Sequence, residues 1–183
     1  MKFQFDIRLD DKDYLEYNLF WMLRSHYGKR HTVMMRTVVA VLCVVFMLFV
    51  LCRGQFTADS FLAILPMAIF LLLFEVLFSA FYGWVLKAHL RSLKTKGKMG
   101  FSPLSSITFY DDRFVEITTD NKTEQTYAAI ERISVVDHTV LYIHVNNLMS
   151  YIVPFSCFES DEQREAFLAF LQSKGAVMDV FSR

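Results

Sequence analysis

Three cysteines and six glycines are few for 183 residues. Cys43 and Cys52 lie in one long apolar run and Cys157 stands alone, so no framework of paired bridges can be drawn. The soluble parts are therefore expected to face a reducing compartment. There is no P-loop, no G-x-G-x-x-G and no G-x-S-x-G elbow, so phosphate cradling and α/β-hydrolase chemistry lack their geometry. The five histidines (His26, His31, His89, His138, His144) include no i,i+4 pair, and no cysteine pair joins them. Neither a metal centre nor a cofactor is expected. Charge of one sign is also missing: nineteen Lys and Arg balance nineteen Asp and Glu. The neutrality is an average over unlike regions, with +1 over residues 1–31, +5 over 32–99 and −6 over 100–183. An acidic C-terminal part argues against a nucleic-acid partner.

Apolar residues, by contrast, are abundant at 54%, and the excess sits between Thr32 and Val85. From Val33 to Cys52 only Arg36 and Thr37 interrupt the run, and about twenty residues of helix cover roughly the 30 Å of a bilayer's hydrocarbon. From Phe61 to Leu86 the one ionisable residue is Glu75. The pattern predicts a two-helix transmembrane hairpin, helices 33–52 and 61–86 within 32–86, because a chain this short has no core that could cover two helices apolar all round. Some thirty mixed-charge residues precede the first run, and Phe49-Val50-Leu51 before Cys52 lacks the small residue of a cleaved lipoprotein site, so the run is expected to stay as an anchor.

The flanks give the orientation. Arg24, Lys29 and Arg30 precede the hairpin and Lys87, Arg91, Lys94, Lys96 and Lys98 follow it, against Arg53 alone in the loop. Both termini are expected to be cytoplasmic, in a multi-pass protein of the bacterial cell membrane. The basic linker 87–104 is a candidate contact for anionic lipid through its five cations, although an ordinary topology signal explains it as well. In antiparallel helices, Arg36 and Glu75 fall roughly 24 Å and 21 Å below the outer end, nearly one level. They are a candidate intramembrane ion pair, the other readings being snorkelling of Arg36 and a protonated or oligomer-facing Glu75.

The soluble parts have different periods. Phe3, Phe5, Ile7 and Leu9 alternate with polar residues, a strand signal, and Asp10 or Asp11 can cap a juxtamembrane amphipathic helix running to about Tyr27 before Gly28 turns the chain. After Gly100, six strands are predicted: Ser105–Tyr110, Phe114–Thr119, Thr123–Ala128, Ile130–Val136, Val140–Val145 and Met149–Pro154. The turn signals between them include Asp137-His138-Thr139 and Asn146-Asn147. Ser160, with Gln163 in the capping-box position, starts a helix that Gly175 ends, with Phe167, Leu168, Phe170 and Leu171 on its buried face. The fold class expected is α+β, the hairpin plus a small antiparallel β-domain over 105–183 closed by a C-terminal amphipathic helix. Segment 1–31 is the N-terminal strand and helix, and its strand is expected to pair with an edge of the C-terminal sheet, the other readings being a strand that lies against the bilayer or pairs with another protomer.

The order of these segments resembles a family. Asp13-Tyr14-Leu15-Glu16-Tyr17-Asn18-Leu19, the hairpin, Ile107-Thr108-Phe109-Tyr110-Asp111-Asp112, Ala129-Ile130-Glu131-Arg132-Ile133, Tyr151-Ile152-Val153-Pro154 and Phe158-Glu159-Ser160 are similar to the bacterial YcxB-like proteins. The resemblance implies a membrane-anchored cytoplasmic domain like the pleckstrin-homology sandwiches, and it brings no enzymatic activity with it. Cys157 with His138 or His144 forms a nucleophile pair only on paper, a single Cys beside phenylalanines being more often a core residue. The expectation is a non-enzymatic membrane protein whose cytoplasmic domain binds a protein, peptide or lipid. Its partners would be the bilayer and an unknown protein or a second copy. The alternative is an oligomeric transport or channel-like component using Glu75.

Overall fold

The computed structural model describes residues 2–53, 58–97, 101–145 and 149–182. Lys98, Gly100 and the Asn146-Asn147 turn lie outside them. The order is β1 (Phe3–Arg8), α1 (Asp11–Leu23), α2 (His26–Arg53), α3 (Ala58–Thr95), β2 (Leu104–Phe109), β3 (Arg113–Thr118), β4 (Lys122–Thr126), β5 (Arg132–Val136), β6 (Val140–His144), β7 (Ser150–Pro154), α4 (Asp161–Ser173) and β8 (Met178–Phe181). Two compact units result. One joins residues 1–13 to 101–183, and the other is residues 14–100.

The first unit is an eight-stranded β-domain. One sheet has the order β1-β2-β3-β4 and the other β7-β6-β5-β8. The alternating N-terminal stretch pairs antiparallel with β2, Phe5 opposite Ile107, across the whole hairpin insertion. Its inward residues meet those of α4: the Phe167 ring lies 4.9 Å from that of Phe5 and 4.8 Å from that of Phe109. Phe5, Ile107, Phe114, Ile133, Leu141, Val153, Phe167 and Leu171 build one core drawing on both sheets and α4. Asp137 and His138 take left-handed backbone conformations (φ 49° and 53°) in the three-residue Asp137-His138-Thr139 loop of the β5–β6 hairpin, where Thr139 N–H donates to the Val136 carbonyl at 3.0 Å.

Helix ends follow the capping signals. Asp10 Oδ1 accepts from the backbone N–H groups of Lys12 (2.7 Å) and Asp13 (2.9 Å), and Asp13 Oδ2 accepts from Asp10 N–H (2.9 Å). Ser160 Oγ accepts from Gln163 N–H at 3.2 Å, while Gln163 Oε1 accepts from Glu159 N–H at 2.8 Å. Gly175, at φ +88°, closes α4.

Four expectations are corrected. First, α1 stops at Leu23 and Gly28 lies inside α2, because the corner is made by Ser25, whose hydroxyl donates to the Trp21 carbonyl and accepts from Gly28 N–H at 3.1 Å. Gly28 is needed for close approach, since a Cβ there would sit 1.7 Å from the Trp21 oxygen. Second, α2 begins at His26, and α3 runs on to Thr95 through most of the basic stretch expected to be a linker. No glycine or proline interrupts residues 84–95, so the helix has no reason to stop at Leu86. Third, the predicted Thr123–Ala128 strand ends at Thr126, and Tyr127–Ala129 form a 3₁₀ turn in which the Tyr127 hydroxyl donates to the Tyr110 carbonyl at 2.6 Å. Fourth, β8 was not expected at all, and it pairs parallel to β5 in an otherwise antiparallel pair of sheets.

In the second unit, two stretches are long and apolar enough to cross a membrane, Gly28–Cys52 and Ile64–Thr95, each holding an 18-residue window whose mean hydropathy is 2.6 in the first and 2.4 in the second. Only 6% of each window is buried within the protein. Pro66 sits early in α3 and leaves the helix continuous.

Candidate functional site

Two places gather polar groups. The first lies between α2 and α3. Arg36 Nε donates to Glu75 Oε2 at 2.7 Å, and Nη2 donates to the same oxygen and to the Glu75 carbonyl at 3.2 Å. The guanidinium also lies over the Phe78 ring, 5.6 Å from its centroid. Planar Arg suits such a geometry, because one face can stack while the edge donates. The pair lines a groove of about 430 Å³ whose other walls are Val33, Thr37, Ala40, Val41 and Val44 of α2. Those positions recur at three- and four-residue spacing and so form one stripe of the helix.

The basic residues after the second run stand elsewhere. Lys87, Arg91 and Lys94 are exposed and share one face of the α3 extension at i, i+4, i+7, with Lys96 in the turn that follows. Lys98 is outside the described residues.

The second place, on the β-domain, was not anticipated. His144 of β6 lies between two serines: Ser134 Oγ on β5 is 3.0 Å from Nε2, and Ser150 Oγ on β7 is 2.7 Å from Nδ1. Arg132, two residues before Ser134, forms an ion pair with Asp179 of β8. Burial, reinforced by the Arg132 charge and opposed by Asp179, pulls the His144 pKa down to about 4. The imidazole is thus neutral at pH 7, with one nitrogen donating and the other accepting, roles that hydroxyls can complement on both sides. A serine oxygen beside a histidine nitrogen is also the contact of a nucleophile and its base. Ser134 is only 2% exposed, however, so its oxygen is closed off and the contact serves as a hydrogen-bonded tie across three strands.

Cys157 is not brought to either histidine. Its Sγ faces the Asp6 carbonyl at 3.8 Å, and burial together with Asp13 and Asp6 raises its pKa, which suppresses the reactive thiolate. Glu116 turns inward opposite Ile107, and burial raises its pKa against a hydrogen bond to Ser105. The nearby Tyr151 hydroxyl is buried without a hydrogen-bond partner, and burial with the Glu116 charge pushes its pKa to about 12. Among the described residues, no group of three or more His, Cys, Asp or Glu could hold a metal ion.

Comparison with known proteins then gives one match. A family model described as YcxB-like protein matches residues 109–171, from the end of β2 into α4, so that stretch is similar to the YcxB-like proteins. No curated protein and no solved structure matches the chain.

Proposed function

We propose that this chain is a non-enzymatic, multi-pass protein of the cell membrane, its two apolar helices anchoring a cytoplasmic YcxB-like domain that binds a protein, peptide or lipid partner. The observation that carries the membrane reading is the apolar surface of α2 and α3. Val76 is 71% exposed, Leu62 67% and Trp84 66%, and more than a dozen other large apolar side chains on these helices are exposed as well. Soluble monomers rarely carry contiguous apolar patches beyond about 300–600 Å², whereas hydrocarbon removes the penalty. The eight basic residues flanking the hairpin, against one in its loop, support cytoplasmic termini. In support of a binding role, the Ser134–His144–Ser150 contacts serve the β-domain's own architecture, which leaves its surface to meet a partner.

Topology is tested by cysteine labelling of intact cells in a cysteine-free background. A probe at Ala58 should react with a membrane-impermeant reagent and one at exposed Asp120 should not; the reverse pattern would overturn the orientation. Alkaline extraction of the membranes tests the anchor itself, and release of the protein would refute it. The competing reading, an oligomeric transport component using Glu75, draws on the groove beside that residue. It requires ion flux in liposomes that Glu75→Gln abolishes.

A further inference from the structure

We propose that the α2–α3 groove is a binding site for one anionic phospholipid of the cytoplasmic leaflet, its acyl chain lying along Val33, Ala40, Val41 and Val44 and its phosphate held by Lys29 and Arg30. The inference rests on the membrane reading above and goes beyond it.

Three observations carry the inference. The groove is mostly apolar and, at about 430 Å³, within the range of about 300–1,000 Å³ found for ligand sites. Its wall continues down the same stripe of α2 to a cationic end: Lys29 lies one turn before Val33, and Arg30 lies seven residues before Thr37. Both cations are exposed, and neither has an ion-pair partner among the described residues. Lys29 thus stands roughly 10 Å below Arg36 along the helix, so that an apolar slot ends at two unneutralised charges at headgroup depth. That is the shape and polarity of an anionic amphiphile.

Arg36 does not compete for the headgroup charge, because Glu75 already neutralises it. The pair instead keeps the upper part of the slot electrically neutral. A second copy of the chain is the weaker occupant. A two-fold contact between parallel hairpins would set Lys29 and Arg30 against their own equivalents, and like charges repel. Helix association in lipid also lacks the hydrophobic drive that would offset such repulsion.

The test uses the full chain, extracted in mild detergent and analysed by native mass spectrometry with added phosphatidylglycerol or phosphatidylcholine of identical acyl chains. Phosphatidylglycerol should be retained preferentially, and Lys29→Gln with Arg30→Gln should reduce that retention roughly tenfold or more, from two charges near the headgroup. Both positions are exposed, so this double change leaves folding intact. Ala40→Phe, which fills the slot, should weaken retention of both lipids. Lys122→Gln, exposed on β4 of the β-domain, should leave retention unchanged. Equal retention of the two lipids by the wild type, or wild-type retention by the Lys29 and Arg30 variant, would overturn the proposal. So would a dimer mass that Ala40→Phe converts to monomer, which would assign the groove to a second copy. Loss of the protein from alkali-washed membranes would instead refute the anchor, a separate result.

Discussion

Replacing Phe5 by alanine should unfold the β-domain at a far lower temperature than replacing its neighbour Gln4. Phe5 is 2% exposed and its ring lies within 4.7 Å of Phe158, 4.9 Å of Phe167 and 6.1 Å of Phe109. Phe→Ala in such a core costs about 3–5 kcal/mol, the lost transfer energy plus the cavity. For a domain of about 100 residues, each kcal/mol moves Tm by about 4–8 °C, so a fall of more than about 10 °C is expected. Gln4, exposed on the other face of the same strand, should move Tm by no more than a few degrees. The assay is thermal unfolding of the detergent-solubilised full chain, followed by far-ultraviolet circular dichroism in the strand region. A cysteine pair at Gln4 and Thr108, which are direct partners in the sheet, provides a register check by disulfide formation. If Phe5→Ala and Gln4→Ala melt together, β1 contributes nothing to the core and the interrupted-domain arrangement is refuted.

Further outcomes follow from single contacts. Glu75→Ala should destabilise the chain more in the native background than in Arg36→Leu, with a coupling of about 1–2 kcal/mol in a double-mutant cycle; additive losses would dismiss the pair. Gly28→Ala should disrupt the α1–α2 corner because its Cβ would sit 1.7 Å from the Trp21 oxygen, whereas Gly83→Ala meets only Leu19 Cδ2 at 3.8 Å and should be tolerated. Melting temperatures of the two variants, compared side by side, decide it. His144 should make the β-domain acid-sensitive. With a folded pKa near 4 against an unfolded value of 6.5, the unfolded chain binds more protons between those values, so stability is full above pH 6.5 and falls by up to about 3 kcal/mol as pH drops to 4. His144→Gln should remove that slope from denaturant titrations, and an unchanged slope would assign it to other groups.

The elements that were legible in the sequence are those whose signals are local. Strict alternation placed β1, the carboxylate and serine caps placed the starts of α1 and α4, and the turn residues Asp137-His138-Thr139 separated β5 from β6. The arrangement around Gly28 was misread because a glycine signals either a turn or a close approach, and only the nearness of Trp21 decides between them. Strand β8 is four residues with two of them apolar on one face, too short for periodicity to register, and it exists because β5 offers an edge. The His144 tie is invisible for a related reason. Ser134, His144 and Ser150 stand on three separate strands and meet only through the β5–β6–β7 register, which pairs Arg132 with His144 and His144 with Ser150. Arg36 and Glu75 could be set at one depth by counting helix rise, but whether their side chains turn toward each other depends on helix rotation, which counting does not supply.

The pairing of β1 with β2 also governs when the chain can finish folding. Phe5 is opposite Ile107, so the first strand made must wait until about one hundred further residues have emerged. At about 5–20 residues per second this is on the order of 5–20 s, during which Phe3, Phe5 and Ile7 have no sheet to cover them. Most of what is synthesised in that interval is α1, the corner and the two apolar helices. Closure of the β-domain is therefore downstream of the hairpin's synthesis, and a chain whose hairpin is delayed leaves an apolar edge strand open to chaperones and proteases.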